Sequence, residues 1–196
     1  MKYLEFTDVE IHELKSEIIG ETFEILVKQP DPQVLALFGD EPLPVVYGTD
    51  ANISAGSYID TIEGLLLGGE IPPVLFIGIR YKLGDEPDFM QFVTSRTREF
   101  TPTEDTENQK LMEQMTLREV KGGGAENFLK FLTTELRDWV SERFNVSDDT
   151  TYIGDSMGGL FGLYTLFTEP KAFKRYVIGS PWQEWNHPTT FELEKK

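Results

Sequence analysis

Residues 151–168 read TTYIGDSMGGLFGLYTLF, and the fold turns on how this stretch divides. Thr150, Thr151, Tyr152 and Ile153 are β-branched or aromatic and favour a strand, whereas Leu160 to Phe167 favour a buried helix that Pro170 would end. Between them lies Gly154-Asp155-Ser156-Met157-Gly158, with Gly159 beyond: a lone serine among small residues where strand turns into helix. The spacing fits G-x-S-x-G, in which a nucleophilic serine sits on a strained turn and the glycines let strand and helix approach closely. The plainer alternative is a tight turn whose serine only caps the helix. The five residues alone are a weak signal, because average glycine and serine frequencies produce the pattern by accident in roughly 5–10% of chains this long.

The rest of the chain supplies the context that the motif demands. Phe23, Ile25 and Val27 alternate within Thr22 to Lys28, the period-2 pattern of a half-buried strand, and Gly20 suggests a hairpin with Val9 to Ile19. Leu43 to Tyr47 and Val74 to Ile79 are short continuous apolar runs of the kind a doubly covered strand shows. Between them Ile59, Ile62 and Leu66 fall at helical spacing within Tyr58 to Leu67. Glu126 to Phe144 is the clearest helix, with Leu129, Leu132, Leu136, Trp139 and Val140 on one face, and RYVIGS (175–180) reads as a further strand. Strand and helix alternate, which predicts an α/β fold in one domain over 1–196: βαβ units, a mostly parallel sheet, and ligands at the carboxyl ends of its strands. Arg80 to Gly124 departs from the alternation. It is long, polar and ends in three glycines, so it is expected to border the pocket and to be the most mobile part of the fold.

If Ser156 attacks a carbonyl carbon, Met157 contributes its backbone N–H to an oxyanion hole. A second N–H is expected from the loop after the third strand, YGTDANISAG (47–56), where Gly48, Asp50 and Asn52 mark a turn. Ala51 and Asn52 are the candidates, against the reading of a loop that merely connects.

Bulk properties exclude several other chemistries. Lys and Arg number 18 against 34 Asp and Glu, a net charge of −16 that repels phosphate backbones and anionic membrane surfaces, so neither nucleic acid nor membrane is an expected partner. There are no cysteines, and hence no disulfides, thiolate catalysis or cysteine-ligated metal. No phosphate loop, metal-ligand cluster or nicotinamide fingerprint occurs, so no cofactor or metal is implied. Met1 to Phe6 carries acid where a signal peptide needs an apolar stretch, which makes a cytoplasmic location the expectation unless a leader was removed. No motif specifies an oligomeric state.

Taken together these residues resemble the esterase branch of the α/β-hydrolases, the group containing enterobactin-type siderophore esterases, esterase D and feruloyl esterases. VVYGTDAN is similar to the family's strand and Asp-Gly-Asn loop, FIGIRY to its next strand, REFTPT to its Arg-x-x-Thr-Pro-Thr segment, and GGGAENFLKFLTTEL to the helix before the elbow; GDSMGGLFGLYTLFTEP and GSPWQEW follow in order. Ala51 stands where many relatives have glycine, and Asp155 where they often have histidine. The resemblance implies a three-layer α/β-hydrolase sandwich lacking its last strands, and a carboxylic-ester hydrolase acting on a small-molecule ester through an acyl-enzyme on Ser156. It also places Asp155 and Trp182, or Trp185, on the pocket rim, against a tryptophan packed under a loop. Relatives continue through about two more strands that carry the acid and then the histidine, in the order Ser, Asp or Glu, His. Here the sequence stops at FELEKK, and His12 and His187 fall outside the expected place and read as surface residues. Arg96 and Arg98 either orient an anionic substrate or form ion pairs near Glu99. The alternatives are a truncated, non-catalytic hydrolase fold kept for binding or assembly, and acyl transfer from the same serine.

Overall fold

The computed structural model describes residues 8–83 and 88–195, so the reading of Met1 to Phe6 lies outside the described residues. Two strands, β1 (Val9–Lys15) and β2 (Thr22–Lys28), form the expected hairpin. Its turn depends on Gly20, whose φ of +83° lies where side chains are disfavoured, and on hydrogen bonds from Gly20 N–H to Ser16 and from Ser16 N–H to Glu21. The helix α1 (Pro32–Phe38) then leads to β3 (Leu43–Gly48), α2 (Ala51–Leu67) and β4 (Leu75–Tyr81). After α3 (Phe89–Phe100) and α4 (Thr106–Thr116), α5 (Ala125–Phe131) runs through a π-helical turn (Leu132–Leu136) into α6 (Arg137–Ser141). The chain continues through β5 (Val146–Asp155), α7 (Met157–Thr168), β6 (Arg175–Gly179) and α8 (Pro188–Glu194). Among the described residues no helix is long and apolar enough to cross a membrane.

The sheet order is β1-β2-β4-β3-β5-β6. β4, β3, β5 and β6 are parallel, while β2 runs antiparallel to both of its neighbours. Alternation along each strand builds the three layers. Ile77 and Ile79 of β4 join Phe23, Ile25, Tyr47 and Tyr152 in a core closed by Phe92, Phe100, Phe128, Phe131 and Phe161 of α3, α5 and α7. Phe76 faces the other way, against Tyr58 and Ile59 of α2. Gly78, on the same face, lets α2 come so close that an added Cβ would stand 3.0 Å from that of Ala51.

The segment 80–124, long and polar in sequence, holds helices that the sequence reading did not assign. It extends β4 to Tyr81 and then forms α3 and α4, each started by an aspartate: Asp88 accepts from the N–H groups of Met90 and Gln91, and Asp105 from those of Glu107 and Asn108. α3 buries Phe92, Thr97, Glu99 and Phe100. The glycines serve contact: a Cβ on Gly122 would lie 2.5 Å from the Trp185 ring, and Gly124 N–H donates to the Arg98 carbonyl. Trp185 is fully buried and donates to the Thr103 carbonyl at 2.8 Å, so it is the tryptophan packed under a loop and lines no rim.

Candidate active site

β5 ends at Asp155 and α7 begins at Met157, so Ser156 alone turns the chain between them. Its φ of +57° and ψ of −114° are costly for any residue with a Cβ, and the surroundings hold it there. Ser156 N–H donates to the Gly179 carbonyl at the end of β6 (3.0 Å), and its own carbonyl accepts from Leu160 N–H and Trp182 N–H, both at 2.9 Å. The hydroxyl makes no capping bond to α7, so the plainer reading of a capping serine does not describe this turn.

The glycines around it are required by contact distance. A Cβ on Gly154 would stand 2.4 Å from the Tyr152 hydroxyl oxygen and 2.7 Å from the backbone of Gly158, which has no room to yield. Gly154→Ala is therefore expected to destabilise the fold by about 3 kcal/mol, lowering the melting temperature by roughly 6–12 °C in calorimetry. An unchanged melting temperature would show that the elbow is looser than these distances.

Met157 is the first residue of α7 and Ala51 the first of α2, so their N–H groups have no acceptor within their own helices. α2 starts at Ala51, and only Thr49 and Asp50 separate it from β3. The sequence placed Ala51 and Asn52 in a loop and began this helix at Tyr58; both residues instead occupy its first turn, where N–H groups and the helix dipole favour negative charge. The two helix starts touch. Tyr152, fully buried, donates its hydroxyl to the Gly158 carbonyl (2.7 Å) and bonds Thr49 Oγ1 (3.1 Å). A Cβ on Gly158 would stand 2.7 Å from Thr49 Oγ1 and 3.4 Å from Asp50 Oδ2. Burial raises the Tyr152 pKa well above its ordinary value, so the phenol stays a neutral donor. The side chain of Asn52 is occupied elsewhere: its Nδ2 donates to the Tyr81 carbonyl (3.0 Å) and its Oδ1 accepts from Tyr81 N–H (2.8 Å).

Asp155 is exposed beside Ser156, and Trp182 is half-buried, its indole N–H on Glu184 and its ring edge-on to Trp185. The backbone bond from Trp182 to Ser156 sets it next to the strand-to-helix turn. The two arginines part company. Arg98 pairs with Glu99 and Glu21. Arg96, which the sequence set beside Glu99, instead holds Asp50, with Nε to Oδ1 at 2.8 Å and Nη2 to Oδ2 at 2.5 Å. Burial raises the Asp50 carboxyl, the guanidinium opposes that rise, and Asp155 adds to it.

Glu99 is 2% exposed, and burial pushes its carboxyl up to about 7 against the opposing pull of Arg98. Its Oε2 has no hydrogen-bond partner. Since the folded value lies above that of the unfolded chain, the stability it contributes is complete below about pH 4.5 and lost as pH rises through about 7. Urea denaturation at pH 5 and pH 8 should therefore differ by about 2–3 kcal/mol more for the parent protein than for Glu99→Gln. Equal pH dependence in both would remove Glu99 as the cause.

Neither histidine reaches Ser156. His12 lies on the edge strand β1, three strands removed from β5, bonded to Glu10 and edge-on to Trp139. His187 is exposed at the start of α8, its ring against Phe191.

Comparison with known proteins identifies the family and the fold. The model of the family described as "Putative esterase" matches residues 16–194. The chain is 32% identical over 195 residues to the ferri-bacillibactin esterase BesA of Bacillus subtilis, covering 95% of this chain and 62% of that protein. It is 29% identical over 175 residues to the siderophore triacetylfusarinine C esterase of Aspergillus fumigatus, covering 85% of this chain and 53% of the relative. Among solved structures, the BES protein from Bacillus cereus superposes with a TM-score of 0.77 at 25% identity, over 100% of this chain and 69% of that one. The chain thus spans between half and two-thirds of the length of these two curated relatives.

Proposed function

This chain belongs to that esterase family and has the α/β-hydrolase fold, and from that premise we propose that it carries the nucleophile and oxyanion hole of a serine carboxylic-ester hydrolase whose acid and base follow residue 196. The observation that carries this reading is Ser156 itself, held at φ +57° between β5 and α7 with a hydroxyl that caps nothing. A strained conformation at a strand-to-helix turn is retained when it aims a side chain, and in this reading it presents the Ser156 alcohol to substrate near the start of α7.

In the proposed reaction Ser156 Oγ attacks the ester carbonyl, its proton passing to the base, and the carbonyl oxygen becomes an oxyanion facing the N–H groups of Met157 and of Ala51 or Asn52. Collapse expels the alcohol and leaves an acyl-enzyme, which water then hydrolyses to the acid. Asp155 and Trp182 border the opening. The substrate class we propose is an ester of an iron-chelating siderophore, supported by the two curated relatives, one named a ferri-bacillibactin esterase and the other a siderophore triacetylfusarinine C esterase. A fluorophosphonate probe followed by peptide mapping should label Ser156, and labelling of another residue instead would overturn the assignment.

A further inference from the structure

Asp50 occupies the N-cap position of α2, where an aspartate ordinarily turns its carboxylate onto the free N–H groups of the first turn. Here it does not. Asp50 is left-handed (φ 56°, ψ 31°), makes no side-chain capping bond, and gives both oxygens to Arg96 of α3. The pair is deeply buried, Asp50 at 3% and Arg96 at 13% side-chain exposure. A buried ion pair is a poor stabilising device, since apolar residues of similar volume do as well, so its retention calls for a positional reason. Arg96 is itself fixed, its guanidinium over the rings of Phe92 and Phe100 at 5.5 and 5.7 Å. The next residue, Thr97, sets its Oγ1 3.7 Å from Met157 Sδ. Neighbouring residues of α3 therefore reach the starts of both α2 and α7.

We propose that Arg96 is a positioning residue: by taking both carboxylate oxygens of Asp50, it keeps Asp50 from capping α2 and leaves the N–H groups of Ala51 and Asn52 open to the oxyanion formed at Ser156. Two effects combine. A free carboxylate at this spot would occupy the donors that the oxyanion needs, and its negative charge would oppose the charge that develops there. The bidentate fork of an arginine removes both problems, and a lysine, a point charge on a flexible stem, removes them incompletely. This inference rests on the ester-hydrolase reading of Ser156.

The test compares Arg96→Met, Arg96→Lys and the double variant Arg96→Met with Asp50→Gly, the glycine keeping the left-handed backbone without a carboxylate. Each is made in a protein that also carries the proposed acid and base. Turnover of a p-nitrophenyl ester is expressed per Ser156 titrated in the burst, so misfolded protein does not count. Arg96→Met is expected to lower kcat about 100-fold, the loss of one oxyanion donor, with KM nearly unchanged, and Arg96→Lys should fall between it and the parent. The double variant should recover at least about tenfold over Arg96→Met, because the carboxylate that would have capped the helix is gone. A role in stability alone predicts no such recovery. An Arg96→Met enzyme with parental kcat, or a double variant no faster than it, overturns the proposal. Amide resonances of Ala51 and Asn52 in the 196-residue chain give a readout without chemistry: downfield shifts in Arg96→Met, reversed in the double variant, support it, and unmoved resonances overturn it. Failure of the ester-hydrolase reading shows separately, as a Ser156→Ala protein as active as its parent.

Discussion

Replacing Ser156 with alanine, in a protein that also carries the proposed acid and base, is expected to lower ester turnover by about a millionfold, the scale on which a serine acting with its base is lost. The expectation is specific because the side chain does nothing else. Ser156 Oγ makes no capping bond, and the turn is held by backbone bonds to Gly179, Leu160 and Trp182 that alanine keeps. Its melting temperature should stay within a few degrees of the parent, as expected when no buried contact is lost. What remains would be the contribution of the oxyanion hole and binding, about 10³–10⁴ over water. Ser156→Gly offers a control on the strain: glycine accepts positive φ freely, so this variant should be as inactive but more stable by about 1 kcal/mol. Hydrolysis of p-nitrophenyl butyrate measures the first effect and urea denaturation the second. Retained turnover in either variant would place the nucleophile elsewhere.

The strand-to-helix turn at Ser156 was legible in the sequence because it is local: strand propensity, small residues and an apolar helix follow one another within eighteen positions, and contact distances require Gly154 and Gly158 where the motif has them. The parallel sheet was legible for a similar reason, since apolar runs such as Leu43 to Tyr47 mark strands covered on both faces. Other features were hidden by what periodicity cannot register. The first turns of α2, ANISAG (51–56), hold one large apolar residue, Ile53, and it is exposed, yet Ala51 and Ala55 are buried because Gly78 lets the helix lie almost on the sheet. Close approach there replaces bulk, and a pattern of large apolar residues does not show it. The helix α3 was obscured by its polar content, including Arg96 and Arg98, two cations with different partners. The Asp50–Arg96 pair joins residues 46 positions apart, and no local signal links them. The sequence did carry the warning that Arg96 and Arg98 were ion-paired; only the three-dimensional arrangement separates an ion pair with a neighbour from one that sets a helix start.

The 196-residue chain by itself is expected to show little or no esterase turnover, and His187 is not expected to supply any. Ser156 at neutral pH is a poorly nucleophilic alcohol until a base within about 3 Å takes its proton. His12 is held on the edge strand β1, on the far side of β2, β4 and β3 from the elbow. His187 begins α8 with its ring against Phe191 and is exposed. It follows β6 directly, whereas the order Ser, acid, His places the base on a later loop. β6 pairs with β5 on one side and, among the described residues, with nothing on the other, and Val177 on it is half exposed. Strands added at that edge would lie next but one to β5, from whose end Ser156 projects, a short reach for a loop bearing acid and base. Turnover of p-nitrophenyl acetate by the chain should thus be no more than about 10³–10⁴ over water, the part that an oxyanion hole and binding give without a base. His187→Ala should match the parent chain, and addition of a segment carrying the proposed acid and base should raise turnover by several orders of magnitude, an increase that Ser156→Ala removes. Robust turnover by the short chain, abolished by His187→Ala, would show that α8 swings its histidine to the serine and that the base lies within these 196 residues.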